Sequence, residues 1–235
     1  MKDGEKNDKE TGMDSIDGSL VDQIANDYWK WNNEWDKHKG YNSPKYVRTI
    51  YLIRHGHFIR KLGNYNDSLS LKGVRQVNLL GKRLATMNIN FTNIYTSPFK
   101  RAKHTARIIN KYLPDKRVKV TDFLREGRPV FPDPAPAYWR KDDKEIVEDG
   151  PRLWKSFKVL FHRSQSKKDI NDIFVCHGNI IGFLILRSLQ LPSQRWLQLP
   201  VGHASITRIE IDYNGEVFVK SIGDIGHLPQ VITSG

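Results

Sequence analysis

The sequence has very little cysteine and no long apolar run. Cys176 is the one cysteine among 235 residues, so an internal disulfide and a cysteine-based zinc site are excluded. A reducing compartment fits this composition best. No apolar run approaches the roughly 18 to 20 residues that span a bilayer, and the start, Met1 to Glu5, is too polar for a secretory signal. We therefore expect a soluble, cytoplasmic protein without a transmembrane segment.

Positive charge is the most pronounced feature of the composition. The formal net charge is +12, yet residues 1–45 carry 7 Lys against 10 Asp or Glu, so residues 46–235 carry a net +15. Residues 95–128 alone hold 10 basic and 3 acidic side chains. Such a surplus indicates an anionic partner, which could be a phosphorylated substrate, a membrane surface or nucleic acid. No nucleic acid is expected, because the chain has no nucleic-acid-binding motif beyond charge and few aromatics lie among the basic residues of 95–128.

Composition divides the chain into three parts. Residues 1–28 are rich in Asp, Lys, Asn, Gly and Ser and have few large apolar groups, which predicts a mobile polar tail. Residues 29–45 form a tryptophan-rich segment with Trp31 and Trp35 four residues apart, and residues 46–235 form the folded domain. A helical turn could lay both indoles on the domain's own surface, or the segment could bridge subunits of a homo-oligomer, a dimer or larger. The sequence leaves both alternatives open.

Short apolar runs of the buried-strand type alternate with helical periods from Tyr46 onward. Strands are predicted at 49–53, 93–96, 118–121, 172–176, 205–211 and 217–222, and helices at about 74–87, 102–113, 151–162 and 179–190. Pro151 suits the first turn of the third helix, and Asn214-Gly215 is a strong signal for a hairpin between the last two strands. The repeated alternation predicts a three-layer α/β/α fold with a mainly parallel central sheet.

Polar and charged residues follow four of the predicted strands. Ligands of open α/β sheets lie beyond the carboxyl ends of the strands, so residues at these places share one edge of the sheet. They are Arg54-His55-Gly56 after the first strand, Ser97 and Arg101 after the second, Arg125-Glu126-Gly127 after the third, and His177-Gly178-Asn179 after the fourth. The convergence of two histidines, several arginines and one carboxylate predicts a phosphoryl-transfer site.

Phosphoryl transfer explains why these residue types occur together. A neutral imidazole can attack phosphorus and form a phosphoenzyme, and arginine binds phosphate with a bidentate fork while it stays charged. A carboxylic acid with a raised pKa can protonate the leaving oxygen and, once ionised, activate water. The scheme requires no metal and no cofactor. Taken singly, Arg101 could be a solvated charge, Glu126 a loop ion partner and His177 a hydrogen-bonded core histidine.

Three motifs lie at these strand ends. They are Arg54-His55-Gly56, Ser97-x-x-x-Arg101-Ala102-x-x-Thr105 and Cys176-His177-Gly178-Asn179. Together they resemble the histidine phosphatase superfamily, also called phosphoglycerate mutase-like. Within it the chain is more similar to phosphoglycerate mutase family member 5, the mitochondrial serine/threonine-protein phosphatase. The segments behind this finer resemblance are Phe123 to Gly127, Pro132-Asp133-Pro134 with Trp139, Glu148-Asp149-Gly150, Phe161-His162-Arg163, Leu189 to Pro192 with Trp196-Leu197, and Ile222 to Gly226.

The resemblance covers residues 46–235 and implies that they form a histidine phosphatase catalytic domain. It implies that His55 is the nucleophile that becomes phosphorylated and that Glu126 is the proton donor. The groups implied to bind the phosphoryl group or line the pocket are Arg54, Arg101, His177 and Asn179. The implied activity is that of a metal-independent protein serine/threonine phosphatase, with phosphorylated proteins as substrates.

The chain departs from the family pattern at three places. After Arg54-His55-Gly56 it reads His57-Phe58-Ile59-Arg60 and lacks the polar Ser and Asn of the sugar-phosphate mutases, so a mutase or fructose bisphosphatase activity is less expected. Residues 31–36 resemble the family's tryptophan-rich assembly motif, but Asn32-Asn33-Glu34 stands where the family has Asp, Pro and Asn. The family's N-terminal membrane segment is not found, so a mitochondrial location is the alternative to the cytoplasmic one.

Other interpretations of single residues remain. His55-Gly56-His57 has the form of a metal-ligand pair, since paired histidines are common ligands. Arg54 adjoins the pair and no Asp follows at the spacing of metallohydrolases, so we predict no metal site and assign His57 to structure or the pocket rim. Cys176 is assigned no chemistry, and Asn179 could be a helix N-cap.

Two other functional classes stay open from the sequence. One is a small-molecule phosphatase or a phosphoglycerate mutase-type enzyme of the same fold, and the other is a non-catalytic scaffold or anion-binding protein. The presence of His55, Arg101, Glu126 and His177 together argues against a scaffold. The basic cluster of 95–128 is expected to form a rim that attracts phosphorylated, acidic polypeptide.

Overall fold

The computed structural model describes residues 31–37, 45–59, 67–140 and 144–235. The described residues from 33 onward form one compact unit, to which Trp31 and Asn32 do not belong. The predicted mobile tail at 1–28 lies outside the described residues. The strands are β1 Arg48–Arg54, β2 Asn93–Thr96, β3 Val118–Val120, β4 Ile170–Cys176, β5 Ile206–Ile211 and β6 Val217–Asp224. The α-helices are α1 Leu71–Thr86, α2 Lys100–Tyr112, α3 Lys144–Leu160 and α4 Gly178–Ser188, and short 3-10 helices lie at Asp122–Leu124, Ser193–Gln198 and Gln230–Ile232.

The six strands form one sheet in the order β3-β2-β4-β1-β5-β6. β1 to β4 run parallel, whereas β5 is antiparallel to β1, and β6 is antiparallel to β5. The pairing sets Arg54 opposite Cys176 and Thr96 opposite Val175, so β1, β2 and β4 end at the same edge. The prediction of a mainly parallel sheet is confirmed.

The alternation of side chains along β1 explains the three layers. Ile50 and Leu52 point into the core that α3 and α4 cover, and Tyr51 and Ile53 point into the core under α1 and α2. All four are essentially inaccessible to water, which stabilises the fold by about 1.5–3 kcal/mol for each large apolar side chain. Apolar side chains on the helices close the two cores, among them Val77, Leu80 and Ile109 on one face and Phe157, Phe183 and Leu184 on the other.

The start of α3 differs from the prediction. The helix begins at Lys144, so Pro151 lies inside it instead of in its first turn. Proline has no N–H to donate to the carbonyl of Val147, four residues earlier. Both residues are exposed, so water can satisfy that carbonyl and the helix continues.

The hairpin between β5 and β6 is confirmed, with a longer turn than a two-residue Asn-Gly loop. The N–H of Gly215 donates to the carbonyl of Asp212 at 3.2 Å, and Gly215 adopts φ +88°. The side chain of Asp212 accepts hydrogen bonds from the N–H groups of Asn214 and Glu216. The left-handed residue is therefore the glycine alone, which has no Cβ to oppose that conformation.

Residues 33–37 dock on their own domain. The indole of Trp35 packs 5.5 Å from the ring of Phe157 and donates from Nε1 to the carbonyl of Gly215 at 2.8 Å. Asp36 forms an ion pair of 2.6 Å with Arg163 and accepts from its backbone N–H. Of the two alternatives left open by the sequence, the structure shows intramolecular docking for Trp35. No helix in the described ranges is long and apolar enough to cross a membrane.

Candidate active site

His55 follows β1 directly and is 3% exposed. Its Nδ1 lies 2.8 Å from the carbonyl oxygen of Gly56, and because a carbonyl can only accept, Nδ1 carries the ring proton. Nε2 therefore presents its lone pair, which accepts a hydrogen bond from Arg101 Nε at 3.0 Å. The carbonyl of Gly56 thus fixes the tautomer in which Nε2 is nucleophilic.

The surroundings of His55 keep its ring neutral. Burial lowers the pKa of His55 well below its ordinary value, and the nearby positive charges of Arg101 and Arg54 lower it further. The hydrogen bond to Gly56 acts in the opposite direction without reversing the shift. A neutral imidazole at working pH is the form that can attack phosphorus.

Arg101 lies in the first turn of α2 and is 6% exposed. Its guanidinium carbon lies 4.7 Å from the ring centre of Phe58 and 4.8 Å from that of Phe99, and these cation–π contacts restrict its orientation. One turn later, Thr105 accepts from the N–H of Gly56 at 3.2 Å and donates to the carbonyl of Arg101 at 2.9 Å. The Arg-x-x-x-Thr spacing therefore ties α2 to the nucleophile.

His177 is fully buried at the N-cap position of α4. Its Nε2 lies 2.8 Å from Ser97 Oγ, and its ring centre lies 5.0 Å from that of His55. Burial lowers the pKa of His177 well below its ordinary value, and the neighbouring His55 and Arg101 add to the effect. Nδ1 is buried and has no hydrogen-bond partner among the described residues.

Arg54 is the last residue of β1 and lies beside His55. One terminal nitrogen, Nη1, donates to the carbonyl of Val201, while Nε is buried without a partner among the described residues. Burial lowers the pKa of Arg54, and the negative charge of Glu126 raises it. The guanidinium stays charged at working pH and has donors available for an anion.

Glu126 holds its carboxylate at the N-terminus of α4. It accepts hydrogen bonds from the backbone N–H groups of Gly127 at 3.1 Å and of Asn179 and Ile180 at 3.3 Å each. These bonds favour the ionised form, but burial acts against it more strongly, so the pKa of Glu126 is raised. A carboxyl group with a raised pKa can hold a proton for a leaving oxygen.

Arg152 on α3 fixes the loop that carries Glu126. Its guanidinium donates to the carbonyls of Arg125 at 2.9 Å and Glu126 at 3.1 Å, and to the carboxylate of Asp149 at 2.7 Å. A side chain in place of Gly127 would collide with Asp149, so only glycine permits this approach. The sequence reasoning missed Arg152, because it lies on a helix and not after a strand.

His55, Arg54, Arg101 and Glu126 line a cleft of about 590 Å³, a typical size for a ligand site. We call these four residues the cleft floor, together with the buried His177, whose ring packs against His55 but does not line the cleft. We call Arg125, Arg128, Glu145, Glu148 and Asp149 the cleft rim. The remaining lining residues are Phe58, Phe99, Gly127 and Asn179.

The expected basic rim is not what the structure shows. Three of the five rim residues are acidic, and α3 contributes all three. Arg128 pairs with Glu145 at 3.1 Å, and Arg125 lies 3.7 Å from Asp149. The surplus of positive charge in residues 95–128 is therefore offset at the mouth of the cleft by charges that α3 brings from elsewhere in the chain.

His203 is a further residue of the site that sequence reasoning missed. It is 5% exposed, and its ring centre lies 5.5 Å from that of His55. The backbone N–H of His203 donates to the carbonyl of Ser234 at 2.8 Å. Burial lowers the pKa of His203 to about 3, and the positive charge of Arg54 adds to this shift. His203 precedes β5, which is antiparallel and so begins at the edge where β1 ends. His203 was missed because the sequence analysis considered only residues that follow strands.

The remaining sequence predictions have mixed outcomes. Asn179 lines the cleft, as predicted, but it is not the N-cap of α4, because the helix begins at Gly178. The ring of His57 bonds to Ser70 Oγ at 2.7 Å, consistent with a structural role. Cys176 is buried and its thiol pKa is raised, which keeps it protonated. In the described ranges, no three His, Cys, Asp or Glu side chains are grouped as metal ligands.

Sequence comparison finds similarity to phosphatases over most of the chain. The family model "Histidine phosphatase superfamily (branch 1)" matches residues 50–130. The serine/threonine-protein phosphatase Pgam5, mitochondrial, of Caenorhabditis elegans is 40% identical over 216 residues, which are 90% of this chain and 74% of the relative. The protein of the same name from Xenopus laevis is 38% identical over 83% of this chain and 72% of the relative.

Solved structures show the same fold. Phosphoglycerate mutase from Plasmodium falciparum superposes with a TM-score of 0.57 at 27% identity, over 79% of this chain and 96% of that one. Phosphoserine phosphatase from Entamoeba histolytica gives a TM-score of 0.58 at 22% identity, over 77% of this chain and 100% of that one. The sheet and its covering helices are therefore phosphoglycerate mutase-like.

Proposed function

Because the chain belongs to the histidine phosphatase superfamily, we propose that it hydrolyses phosphoserine and phosphothreonine in proteins through a phosphohistidine at His55. The chain is a phosphatase, and its relatives of 34–40% identity are named serine/threonine-protein phosphatases. The observation that carries the proposed mechanism is the hydrogen bonding of His55, which fixes a neutral ring with the lone pair on Nε2.

In the first step Nε2 of His55 attacks phosphorus, an N–P bond forms and the P–O bond to the substrate breaks. The carbonyl of Gly56 keeps Nδ1 protonated and stabilises the positive charge that develops on the ring. Arg101 exchanges its hydrogen bond to Nε2 for a phosphoryl oxygen, while Arg54 and His177 bind the others. Glu126 gives its proton to the leaving hydroxyl oxygen of serine or threonine.

In the second step water attacks the phosphohistidine. Glu126, now ionised, takes a proton from the water, the N–P bond breaks and inorganic phosphate leaves. The N–H groups at the N-terminus of α4 stabilise the carboxylate in this state. Side chains of the chain itself carry both steps, and the scheme requires no metal ion or cofactor.

The wall of the cleft next to His55 favours a protein substrate over a sugar phosphate. Phe58 lines the cleft and packs against both His55 and Arg101. Its side chain offers no hydrogen bond to a sugar hydroxyl, and a site must pair such groups to select a sugar. The open cleft of about 590 Å³ leaves room for a residue on a peptide chain.

The test measures phosphate release in EDTA from phosphoserine and phosphothreonine peptides, sugar phosphates and p-nitrophenyl phosphate. We expect turnover of the peptides and of p-nitrophenyl phosphate, and loss of both in His55→Ala by about 10⁴-fold or more. Release that His55→Ala retains, or that EDTA abolishes, contradicts the mechanism. If sugar phosphates prove to be the best substrates, the enzyme is a small-molecule phosphatase and the proposed protein substrate is wrong.

Location and assembly extend the same proposal. The relatives are named as mitochondrial, so we propose a mitochondrial location in place of the cytoplasmic one expected from composition. Fractionation of cells that express the full-length protein tests this. A homo-oligomer formed through the segment of Trp31 and Trp35 stays a prediction, since Trp35 contacts its own domain. Size-exclusion chromatography of Trp35→Ala tests it, and unchanged mass and turnover would reject it.

A further inference from the structure

A second, smaller cavity adjoins the catalytic cleft. Its volume is about 350 Å³, at the low end of ligand pockets, which suits one bulky side chain and not an extended ligand. Arg54 and Asn179 line both cavities, so the two meet at these side chains. The rest of the lining is largely apolar and consists of Gly178, Trp196, Leu197, Leu199, Pro200, Val201, Gly202 and Gly235. We call this cavity the side pocket.

The guanidinium group of Arg54 borders both the side pocket and the catalytic cleft. The carbonyl of Val201, on the pocket side, accepts a hydrogen bond from Arg54 Nη1. A Cβ at Gly178 would lie 3.6 Å from Arg54 Nε and 3.7 Å from Cζ, in contact with the guanidinium. Because residue 178 is glycine, this face of Arg54 stays open toward the side pocket. A phosphate bound at Arg54 therefore lies next to the side pocket.

Because the two cavities share Arg54 and Asn179, neighbouring residues of one peptide can occupy them together. An extended chain advances about 3.3–3.6 Å per residue, so a phosphoresidue bound at Arg54 brings a flanking side chain to the side pocket. A residue directly next to the phosphoresidue is therefore close enough to reach the side pocket. A substrate without flanking residues would leave the pocket empty.

The lining selects the chemical class of that side chain. Leu197, Leu199 and Val201 offer apolar surface, and burial of a matching side chain removes both surfaces from water. Arg54, the one charged side chain of the lining, is paired with the phosphate it binds, so an apolar side chain in the pocket meets no unpaired side-chain charge. The amide of Asn179 already donates to the carbonyl of Gly127 at 3.4 Å.

Resting on the proposed protein phosphatase activity, we propose that the side pocket binds a large apolar side chain flanking the phosphoresidue. The enzyme therefore prefers phosphosites next to Leu, Ile, Met or Phe. The specificity lies in Leu199 and its neighbours and acts on substrate binding, whereas the chemistry stays with the cleft floor.

The test compares phosphothreonine peptides that differ only in the flanking residues, Gly, Leu, Asp or Lys on either side. We expect kcat/KM for Leu on one side to exceed that for Gly by about tenfold or more. Leu199→Ala is expected to reduce this preference, because kcat/KM falls more for the Leu-flanked peptide than for the Gly-flanked one. Leu191→Ala, at an exposed apolar residue that does not line the pocket, is the matched control and keeps the preference.

The outcomes separate the two proposals. Turnover of p-nitrophenyl phosphate without turnover of any peptide overturns the protein substrate and the pocket assignment with it. Turnover of all peptides at equal rates overturns the pocket assignment alone. A preference for Asp that depends on Leu199 would assign the pocket to an acidic residue and also overturn the inference. A circular dichroism spectrum and a melting temperature close to those of the wild type show that Leu199→Ala folds.

Discussion

The cleft floor and the cleft rim are built in different ways. The floor residues are withdrawn from water, and strand ends or helix N-termini hold them through hydrogen bonds such as that from Arg101 to His55 at 3.0 Å. The rim consists of ion pairs between more exposed side chains, such as Arg128 with Glu145 at 3.1 Å. Exposed pairs of this kind contribute about 0–1 kcal/mol. The comparison indicates that the floor fixes the chemistry and that the rim tolerates change.

After the loss of the nucleophile in His55→Ala, the largest effect is expected from Glu126→Gln, which removes the proton donor of the floor. We expect kcat/KM on a phosphothreonine peptide to fall by about 10³-fold. Because the pKa of Glu126 is raised, the wild-type rate falls as pH rises through a value above the ordinary 4.5, and this limb is absent in Glu126→Gln. Glu148→Gln on the rim is the control. An equal loss of kcat/KM in that variant would contradict the distinction between floor and rim.

Arg101→Lys changes the shape of a floor side chain but keeps its positive charge. Lysine has no fork to bind phosphate and loses the orientation that Phe58 and Phe99 impose. We expect a loss of about 10²-fold in kcat/KM, as for removal of one preorganised donor. Arg107→Lys, on the exposed face of the same helix, is expected to match the wild type. If the two variants behave alike, Arg101 acts only as a charge.

Arg152→Met tests whether the floor depends on the loop that carries Glu126. Without the hydrogen bonds to Arg125 and Glu126, the carboxyl group loses its position, and kcat/KM is expected to fall by about tenfold. Most of the loss is expected in kcat, and the pH limb assigned to Glu126 is expected to shift. Lys155→Met, exposed on α3, is the matched control. If Arg152→Met has a lower melting temperature but unchanged kinetics, Arg152 stabilises the fold and does not position Glu126.

Ionic strength is expected to have the smallest effect, because the charges of the rim offset one another. Between about 0.05 and 0.3 M salt, kcat/KM on an acidic phosphopeptide is expected to change by less than about threefold. Glu145→Gln combined with Glu148→Gln makes the rim basic, and a steeper salt dependence is then expected. A steep dependence in the wild type would restore the basic rim that the composition predicts.

The sequence predicted the floor better than the rim for a physical reason. The parallel strands β1, β2 and β4 end at one edge, so the residues at and just beyond the strand ends already include Arg54, His55 and His177. Glu126 comes after the short strand β3 and a 3-10 turn, and its role came from the family resemblance.

Residues outside this rule could not be found in the same way. His203 precedes the antiparallel strand β5, and its place beside His55 depends on pairing that no local pattern encodes. Arg152 and Glu145 resemble solvated charges of a helix in the sequence. Only the packing of α3 brings Glu145 to the cleft and Arg152 to the loop of Glu126. The helix itself was predicted too short, since Pro151 was taken for its first turn.

Direct detection of phosphate on His55 tests the central claim of the account. Enzyme mixed rapidly with a phosphothreonine peptide and quenched in alkali, where phosphohistidine survives, is digested and analysed by mass spectrometry. We expect one phosphoryl group on the peptide that contains His55, lost on brief acid treatment and absent in His55→Ala. Compared with the wild type, Glu126→Gln is expected to accumulate less phosphohistidine from the peptide. It is expected to accumulate more from p-nitrophenyl phosphate, whose leaving group needs no proton. Turnover without any phosphoryl group on His55, or with the group on another residue, would contradict the account.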